Sequence, residues 1–247
     1  MRVALFIPCY VDALFPEVGV ATLELLERFG CEVAFPLDQT CCGQPMGNTG
    51  CERDAAAAEA LFVRNFAGFD YVVAPSGSCV HHVRNKFTAV EQTEAVIRLR
   101  ASTYELVEFL HDILQVTTFP WAAFPYTVSV HNGCSTLRAL NTASMSEIAG
   151  APFSKPMKLL EQVAGISFAM PARPDECCGF GGTFCVSEEP VSARMGYEKV
   201  RDHQQAGAHY VVSADPSCLM HQQACAKRLK LDLKFIHIAE LLNGAQA

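Results

Sequence analysis

The sequence has little charge and no long uninterrupted apolar run. Only 18% of its 247 residues are charged, and 26 acidic against 19 basic residues give a net charge of −7. An acidic chain is a poor match for nucleic acid or an anionic membrane surface, so we expect no nucleic-acid partner. No apolar stretch is long enough to cross a bilayer, so we do not expect an integral membrane protein. The first residues, MRVALFIPCY, indicate a β-strand rather than a secretory signal, which predicts a cytoplasmic location.

Nucleotide-binding and ferredoxin motifs are also missing. The glycine-rich residues 178–182 lack the Lys-Ser/Thr pair of a phosphate-binding loop and the third glycine of a dinucleotide fingerprint. No compact C-x-x-C-x-x-C run occurs, so ordinary relay clusters are not expected in this chain. What the chain has in quantity is cysteine, twelve in all. In a reducing cytoplasm cysteines rarely become structural disulfides, which leaves metal binding as the favoured interpretation.

Eight of the twelve cysteines form two similar sets, each built around an adjacent pair. Each set has one cysteine well before the pair and one well after it, and each ends in a C-x-x-H pattern. Such a repeated thiolate-rich arrangement predicts one metal site per half of the chain. The predicted ligands are Cys9, Cys41, Cys42, Cys79 and His82 in the first half and Cys134, Cys177, Cys178, Cys218 and His221 in the second.

The remaining cysteines have a simpler interpretation. A cysteine in an apolar chain is most often a small buried hydrophobic residue, and we expect this of Cys31, Cys51 and Cys225, which have no counterpart in the other half. Cys185 lies close to the second pair but outside the repeat, and both interpretations stay open for it. The eight repeated cysteines differ, because buried filler has no reason to recur at matching positions.

The identity of the metal is less constrained than its presence. Three thiolates and one imidazole form an acceptable tetrahedral zinc site, so zinc is the alternative. Zinc usually takes closely spaced C-x-x-C pairs, whereas here adjacent cysteines arrive on one loop. Five donors per half exceed what structural zinc needs and suit a multi-iron cluster with soft thiolate ligands. We therefore expect one multi-iron cluster in each half, with zinc as the alternative.

Small residues follow each cysteine pair and have two interpretations. They form a tight turn, or they let backbone N–H groups approach a bound cluster and tune it. The candidate cofactor-binding glycines are Gly43, Gly179, Gly181 and Gly182.

Other polar residues near the cysteines are weaker candidates. His81 has no counterpart in the second half, where Met220 stands. His131 and Arg138 flank Cys134. A histidine has the chemistry of a general base, and an arginine has that of a group that binds a carboxylate, but a structural or supporting role is expected of both. No catalytic residue is assigned.

The order of predicted elements indicates an α/β protein. Strand and helix alternate in each half, which predicts two duplicated α/β units with parallel sheets, related by internal pseudo-symmetry. The proline-containing residues 117–125 form the joint, giving domains 1–118 and 119–247. The predicted strands are 2–8, 31–35, 71–74, 126–130, 165–169 and 210–214. The predicted helices are 18–29, 54–66 with Asp54 as N-cap, 83–87, 103–113, 157–163 and 190–205.

These residues resemble the cysteine-rich CCG-domain family, which includes the CCG-containing subunit of heterodisulfide reductase and iron–sulfur subunits of glycolate and glycerol-3-phosphate oxidoreductases. The chain is most similar to the stand-alone lactate-utilisation (LutA) group, through segments such as QTCCGQP, APSGSCVHH and CCGFGGTFC. The resemblance implies that each CCG motif holds an iron–sulfur cluster. The implied cluster is of the [4Fe–4S] type. The heterodisulfide reductase pattern ends in C-x-x-C, whereas this chain has C-x-x-H twice. This difference in the last ligand bears on the type of cluster and not on ligation by the eight cysteines.

The resemblance also implies a role and partners. It implies electron transfer during oxidation of L-lactate to pyruvate, together with a ferredoxin-type LutB-like protein and a LutC-like protein. The alternatives are a non-enzymatic zinc or iron–sulfur protein and a thiol–disulfide reductase subunit of the heterodisulfide type.

Overall fold

A computed structural model describes residues 1–245 of the chain. The chain divides into two compact units, Met1–Leu114 and a second that begins at Gln115. Each unit is α/β and contains a four-stranded, entirely parallel sheet, so the predicted fold class is confirmed. Among the described residues, no helix combines the length and the apolar character needed to cross a membrane.

The first unit has the strand order β2-β1-β3-β4. Its strands are β1 (Arg2–Leu5), β2 (Glu32–Ala34), β3 (Tyr71–Ala74) and β4 (Thr103–Glu105). Its helices are α1 (Cys9–Leu14), α2 (Pro16–Arg28), α3 (Gln44–Asn48), α4 (Ala56–Phe66), α5 (Gly77–Lys86), α6 (Glu94–Ala101) and α7 (Leu106–Glu108), with a 3₁₀ turn at Glu52–Ala55 and a π-helical turn at Phe109–Ile113.

The second unit repeats this topology, with the strand order β6-β5-β7-β8. Its strands are β5 (Thr127–His131), β6 (Ser167–Phe168), β7 (Tyr210–Ser213) and β8 (Lys234–His237). Its helices are α8 (Lys155–Leu160), α9 (Phe184–Ser187), α10 (Glu189–Gln205), α11 (Pro216–Leu229) and α12 (Ile238–Leu242), with a π-helical turn at Ser135–Ala139.

Burial explains why strands β3 and β7 consist mostly of apolar residues. Helices cover both faces of a parallel sheet, so its strands are continuous apolar runs rather than alternating ones. Val72, Val73 and Ala74 of β3 are all fully buried, as are Val211 and Val212 of β7.

The register of the two sheets fixes which residues correspond. Val3 pairs with Tyr71 in the first unit, and Val128 pairs with Tyr210 in the second. Tyr71 and Tyr210 each begin the YVV run of their strand, so position 3 corresponds to position 128. Counting forward, Cys9 corresponds to Cys134, and Phe6 corresponds to His131.

The predicted helix at 103–113 is wrong at its start. Thr103, Tyr104 and Glu105 form β4, because they pair in parallel with β3. Glu105 then begins the helix, accepting the N–H of Val107, while the carboxylate of Glu108 accepts the N–H of Glu105 in a capping box. Tertiary pairing therefore overrides the helical spacing of the side chains.

Smaller differences between the predicted and the observed elements concern the start of one helix and the elements that the sequence prediction lacks. Asp54 does not cap α4, because residues Glu52–Ala55 form a 3₁₀ turn that runs directly into the helix. Helices α1, α3, α6, α9 and α11 and strand β8 are absent from the sequence prediction. Thr93 caps α6, accepting the N–H of Val96. The other predicted elements are present with ends shifted by a few residues.

The joint segment 117–125 packs within the second unit. Phe119 and Phe124 are almost fully buried, and the indole N–H of Trp121 donates to the carbonyl of Leu242 at 2.9 Å. The only tryptophan of the sequence is therefore part of the second unit.

Candidate metal centres

The first cysteine set lies at the carboxyl edge of the first sheet. In the order β2-β1-β3-β4, the connection from β1 leads outward to β2, and the connection from β3 leads outward to β4 on the opposite side. Open α/β sheets bind ligands at the carboxyl ends of two neighbouring strands whose connections diverge in this way. Cys9 is the first residue of α1, which follows β1, and Cys79 is the third residue of α5, which follows β3. Cys41 and Cys42 arrive on the loop after β2.

The second set occupies the same places in the second unit. Cys134 follows β5 and directly precedes a π-helical turn, and Cys218 is the third residue of α11, which follows β7. Cys177 and Cys178 lie on the loop after β6. Segments distant in sequence thus deliver four thiols to one edge of each sheet.

The four thiols of the first set form a row in which each thiol affects the ionisation of the next. Cys41 is coupled in this way to Cys42 and Cys9, and Cys42 is coupled to Cys79. Hydrogen bonds from Cys42 and Cys9 favour the thiolate of Cys41 and lower its pKa to about 2. Hydrogen bonding to Cys41 raises the pKa of both Cys9 and Cys42. One thiolate is therefore shared among neighbouring protonated thiols.

The second set repeats this row, in the order Cys134, Cys177, Cys178 and Cys218. Hydrogen bonds from Cys134 and Cys178 lower the pKa of Cys177 to about 2. A metal that binds thiolates displaces the remaining protons, so loading of either site releases protons. All twelve cysteines are free thiols, none of them in a disulfide.

Each row has one open end. Cys9 and Cys134 are exposed, whereas Cys42, Cys79, Cys178 and Cys218 are buried. The open end gives each centre a solvent-facing side, and the buried thiols give it a water-poor interior.

Helix caps hold the last cysteine of each set. The hydroxyl of Ser76 accepts the N–H of Cys79 at 3.4 Å, and the carboxylate of Asp215 accepts the N–H of Ser217 at 3.1 Å. Both caps are preferred N-cap residues, and both cysteines sit in the first turn, where the helix dipole favours a thiolate. The PSGSC and DPSC turns carry this capping signal in the sequence.

The glycines after each pair adopt left-handed backbone conformations. Gly43 has φ 92° and Gly179 has φ 91°, while Gly181 and Gly182 are also positive. The N–H of Gly43 points to the Sγ of Cys41 at 3.4 Å, and the N–H of Gly179 points to the Sγ of Cys177 at 3.4 Å. The glycines thus form a turn and also aim a donor at sulfur, so the two interpretations are compatible.

Side chains fix the loops that carry the cysteine pairs. In the first unit, the amide of Gln39 accepts the N–H of Ile7 at 2.7 Å and donates to the carbonyl of Leu5 at 3.2 Å, tying the loop to the end of β1. In the second unit, the buried carboxylate of Asp202 accepts the N–H groups of Ala172 and Arg173 at 2.8 and 3.0 Å.

The two predicted histidine ligands are not in identical surroundings. His82 is buried, and its Nε2 has no hydrogen-bond partner; burial lowers its pKa to about 4, so its ring is neutral. Burial also lowers the pKa of His221, but its Nε2 lies 3.2 Å from the carbonyl oxygen of Ser192, to which it donates. A neutral imidazole is the form that ligates metals.

Another histidine, for which the sequence predicts only a supporting role, lies close to the buried thiols. Ligand atoms of His131, Cys178 and Cys218 all lie within 4.8 Å of one another, and all three residues are buried. Burial holds the pKa of His131 well below its usual range, so this ring is neutral too. Its position at the end of β5, three residues before Cys134, is the signal that the sequence offers.

The residues outside the two sets behave less uniformly. Cys31 and Cys225 are buried as predicted, whereas Cys51 is exposed, so its predicted burial is wrong. Cys185 donates its thiol to the carbonyl of Gly182 at 3.0 Å. The guanidinium of Arg138 is exposed and pairs with Glu147 at 2.7 Å, which gives it a surface structural role.

The donor sets fit a bound metal ion or metal cluster. Each centre offers four thiols at the edge of a sheet, neutral histidines and a backbone N–H aimed at sulfur. A buried imidazole with unpaired nitrogen lies beside each thiol row: the Nε2 of His82 in the first unit and both ring nitrogens of His131 in the second. Unpaired buried donors of this kind call for a ligand.

Comparison with known proteins gives the family. The CCG cysteine-rich domain model matches residues 3–84 and 128–223. Lactate utilization protein A of Geobacillus thermodenitrificans is 39% identical over 98% of this chain and 99% of that protein. The protein of the same name from Exiguobacterium sp. is 41% identical over 98% of this chain and 97% of that protein.

A solved structure extends the comparison to the fold. A hypothetical protein from Helicobacter pylori matches with a TM-score of 0.57 at 12% identity, covering 98% of this chain and 48% of that chain. Identity this low shows the fold alone. With two matched CCG segments and full-length relatives near 40% identity, the chain belongs to the CCG cysteine-rich domain family, in the group of the lactate utilization A proteins.

Proposed function

We propose that this chain is an iron–sulfur oxidoreductase subunit that takes part in the oxidation of L-lactate to pyruvate by electron transfer. The observation that carries the proposal is the repeated row of four free thiols, mutually coupled in their ionisation, at the carboxyl edge of each sheet. The names of the full-length relatives supply the lactate pathway.

Each row is proposed to hold one cluster of the [4Fe–4S] type. The ligands in the first unit are Cys9, Cys41, Cys42 and Cys79, with His82 beside them. Those in the second are Cys134, Cys177, Cys178 and Cys218, with His221 beside them. Adjacent cysteines and a surplus of soft donors favour iron over a single zinc ion. The N–H groups of Gly43 and Gly179 point to the Sγ of Cys41 and of Cys177, which would tune the potential of a bound cluster, and Gly181 and Gly182 are proposed to let the backbone approach the second cluster.

A cluster supplies one-electron chemistry, and the protein supplies its position and access. Oxidation of lactate to pyruvate releases two electrons and two protons, so an acceptor and a path out are required. The exposed Cys9 and Cys134 give each centre a side from which another protein can exchange electrons. A LutB-like ferredoxin-type partner and a LutC-like protein are the proposed partners, in a complex where the hydroxy acid binds.

The thiol chemistry also supports a location. Twelve free cysteines persist as thiols in a reducing compartment, so we place the protein in the cytoplasm. The two units are proposed to be two CCG domains that each bind their own cluster.

The cluster assignment is tested by anaerobic purification followed by iron, acid-labile sulfide and zinc assays. We expect iron and sulfide in both units, and replacing Cys42 by Ser should remove the first cluster only. Cys51→Ser is the matched control, because Cys51 is an exposed cysteine of the same unit outside the set. Stoichiometric zinc without sulfide would contradict the cluster and favour the zinc alternative.

The lactate assignment needs a separate assay. The purified chain alone should not oxidise L-lactate with an artificial acceptor, and adding the ferredoxin-type partner and the third component should restore turnover. Lactate oxidation by this chain alone would make it a complete enzyme and contradict the subunit assignment. Turnover of a disulfide substrate without lactate oxidation would favour the thiol–disulfide alternative.

A further inference from the structure

The unusual feature of the second unit is the surroundings of His131. Its side chain is 1% exposed, and neither Nδ1 nor Nε2 has a hydrogen-bond partner. A neutral imidazole has one N–H donor and one acceptor nitrogen, and burying either without a partner is energetically unfavourable. A group that binds at this ring in the native protein would remove this cost.

The neighbours of His131 identify what that group contacts. Ligand atoms of Cys178 and Cys218, both buried members of the second thiol row, lie within 4.8 Å of an imidazole nitrogen of His131 and of each other. Spacing of this kind lets three side chains bind one metal ion or one edge of a cluster. The side chain of His131 therefore faces the same space as the thiols.

In the first unit, an aromatic ring takes the place of this imidazole. Phe6 occupies the position that corresponds in strand register, and it is fully buried against Phe62 and Phe66, with ring centroids 5.0 and 5.6 Å away. At this position the first unit therefore has a hydrocarbon side chain, and the second unit has a polar one. In the second unit the ring of His131 meets that of His203 edge-on at 6.1 Å, and Nδ1 of His203 bonds the hydroxyl of Ser129 at 2.8 Å.

His221 is less available than His131 for the same task. Its Nε2 already donates to the carbonyl of Ser192, and a thiol 3.9 Å from that nitrogen belongs to Cys225. Cys225 lies in the core and outside the thiol row.

We propose that His131 is a nitrogen ligand of the metal centre in the second unit, so that the two centres of this chain have different ligand sets. The inference rests on the proposed iron–sulfur function and adds a ligand to it. An imidazole on cluster iron raises the reduction potential relative to thiolate-only ligation, so loss of His131 should lower the potential of the second centre.

Pulsed EPR on the second centre alone tests the proposal. Full-length protein with Cys41→Ser and Cys42→Ser lacks the first row, so a reconstituted and reduced sample reports on the second centre only. We expect a strong ¹⁴N coupling from an iron-bound imidazole. The coupling should disappear in His131→Phe, which copies the residue at Phe6, and in His131→Asn, while iron and sulfide content stay above half of the parent value and the midpoint potential falls.

Further variants separate the possible outcomes. Coupling that persists in both His131 variants and disappears in His221→Ala would overturn the proposal, as would a parent sample with no strong ¹⁴N coupling. Fluorescence of Trp121, in the same unit, shows whether each variant is folded.

Failure of the proposed function gives a different result. If the second unit takes up no iron and sulfide, the iron–sulfur function fails, and a Co²⁺ titration then decides the role of His131. A hyperfine-shifted imidazole N–H resonance that is lost in His131→Phe would still support ligation. A Co²⁺ complex with the same shifted resonances in both proteins would refute it.

Discussion

Replacing Gly179 by Ala should destabilise the second unit far more than the same change at Gly207. Both glycines lie in that unit and have left-handed backbones, with φ of 91° and 83°. A Cβ at Gly179 would lie 2.6 Å from the Cβ of Met195 and 2.7 Å from the carbonyl oxygen of Ser192, whereas a Cβ at Gly207 meets nothing within 4 Å. The pair therefore separates backbone strain from steric contact.

The expected magnitudes follow from these two terms. A left-handed non-glycine residue costs roughly 1–2 kcal/mol, and this cost applies to both variants. Overpacking adds about 1–3 kcal/mol at Gly179 only, because the close contacts are with backbone and with a Cβ that has no rotamer to change. We expect a loss of about 2–5 kcal/mol in the free energy of unfolding for Gly179→Ala and about 1–2 kcal/mol for Gly207→Ala.

Urea unfolding of reduced, cluster-free protein measures both values, followed by the fluorescence of Trp121, which reports on the second unit. A second readout is iron content after reconstitution. Gly179→Ala displaces the N–H that points to Cys177, so the second centre should lose iron, while Gly207→Ala should keep it. If the two unfolding free energies agree within about 0.5 kcal/mol, the steric reasoning is wrong.

Three further predictions concern the first centre and the partner. Cys42→Ser should halve the iron content of the protein, whereas Cys31→Ser, a buried cysteine outside the row, should leave it within about a tenth of wild type by iron assay. His82→Ala should change the EPR spectrum of the first centre only. His81→Ala should leave both spectra unchanged, because the ring of His81 contacts Asn85 at the surface. A spectrum that changes with His81 and not with His82 would mean that the two halves of the sequence are misaligned. Association with a ferredoxin-type partner should weaken as salt rises, since the chain carries a net charge of −7, and affinity that stays constant from low to high salt would exclude electrostatic steering.

Repetition makes the sheets and the thiol rows predictable from sequence. Strands β3 and β7 are short apolar runs, a pattern that indicates a buried strand. The predicted and observed bounds of these two strands agree within one residue. Strand β4 is missed because Thr103, Tyr104 and Glu105 belong to a stretch with helical spacing, and only pairing with β3 makes them extended. Pairing between distant segments has no local signature, so propensity favours the wrong element there.

The candidate site also has features that the sequence predicts and features that it does not. Cysteines that recur at matching positions are recognisable in the sequence, and the structure brings all eight of these thiols into two rows. Cys51 is different, because nothing in its sequence neighbourhood distinguishes an exposed thiol from a buried one. Cys51 directly precedes the 3₁₀ turn formed by residues Glu52–Ala55, which the sequence pattern does not reveal.

Comparison of the two halves of the sequence finds the eight repeated cysteines and misses His131, for the same reason. Duplication reveals what both halves share, and His131 is a position where they differ, since Phe6 stands in its place. A search for matching residues therefore ranks such a position low. After a duplication, the shared residues preserve a common chemistry, while the positions that differ are free to make the two copies unequal. The proposed electron transfer through two centres benefits when those centres have different potentials, and an imidazole at position 131 where the first unit has a buried aromatic ring is a physical means to that end.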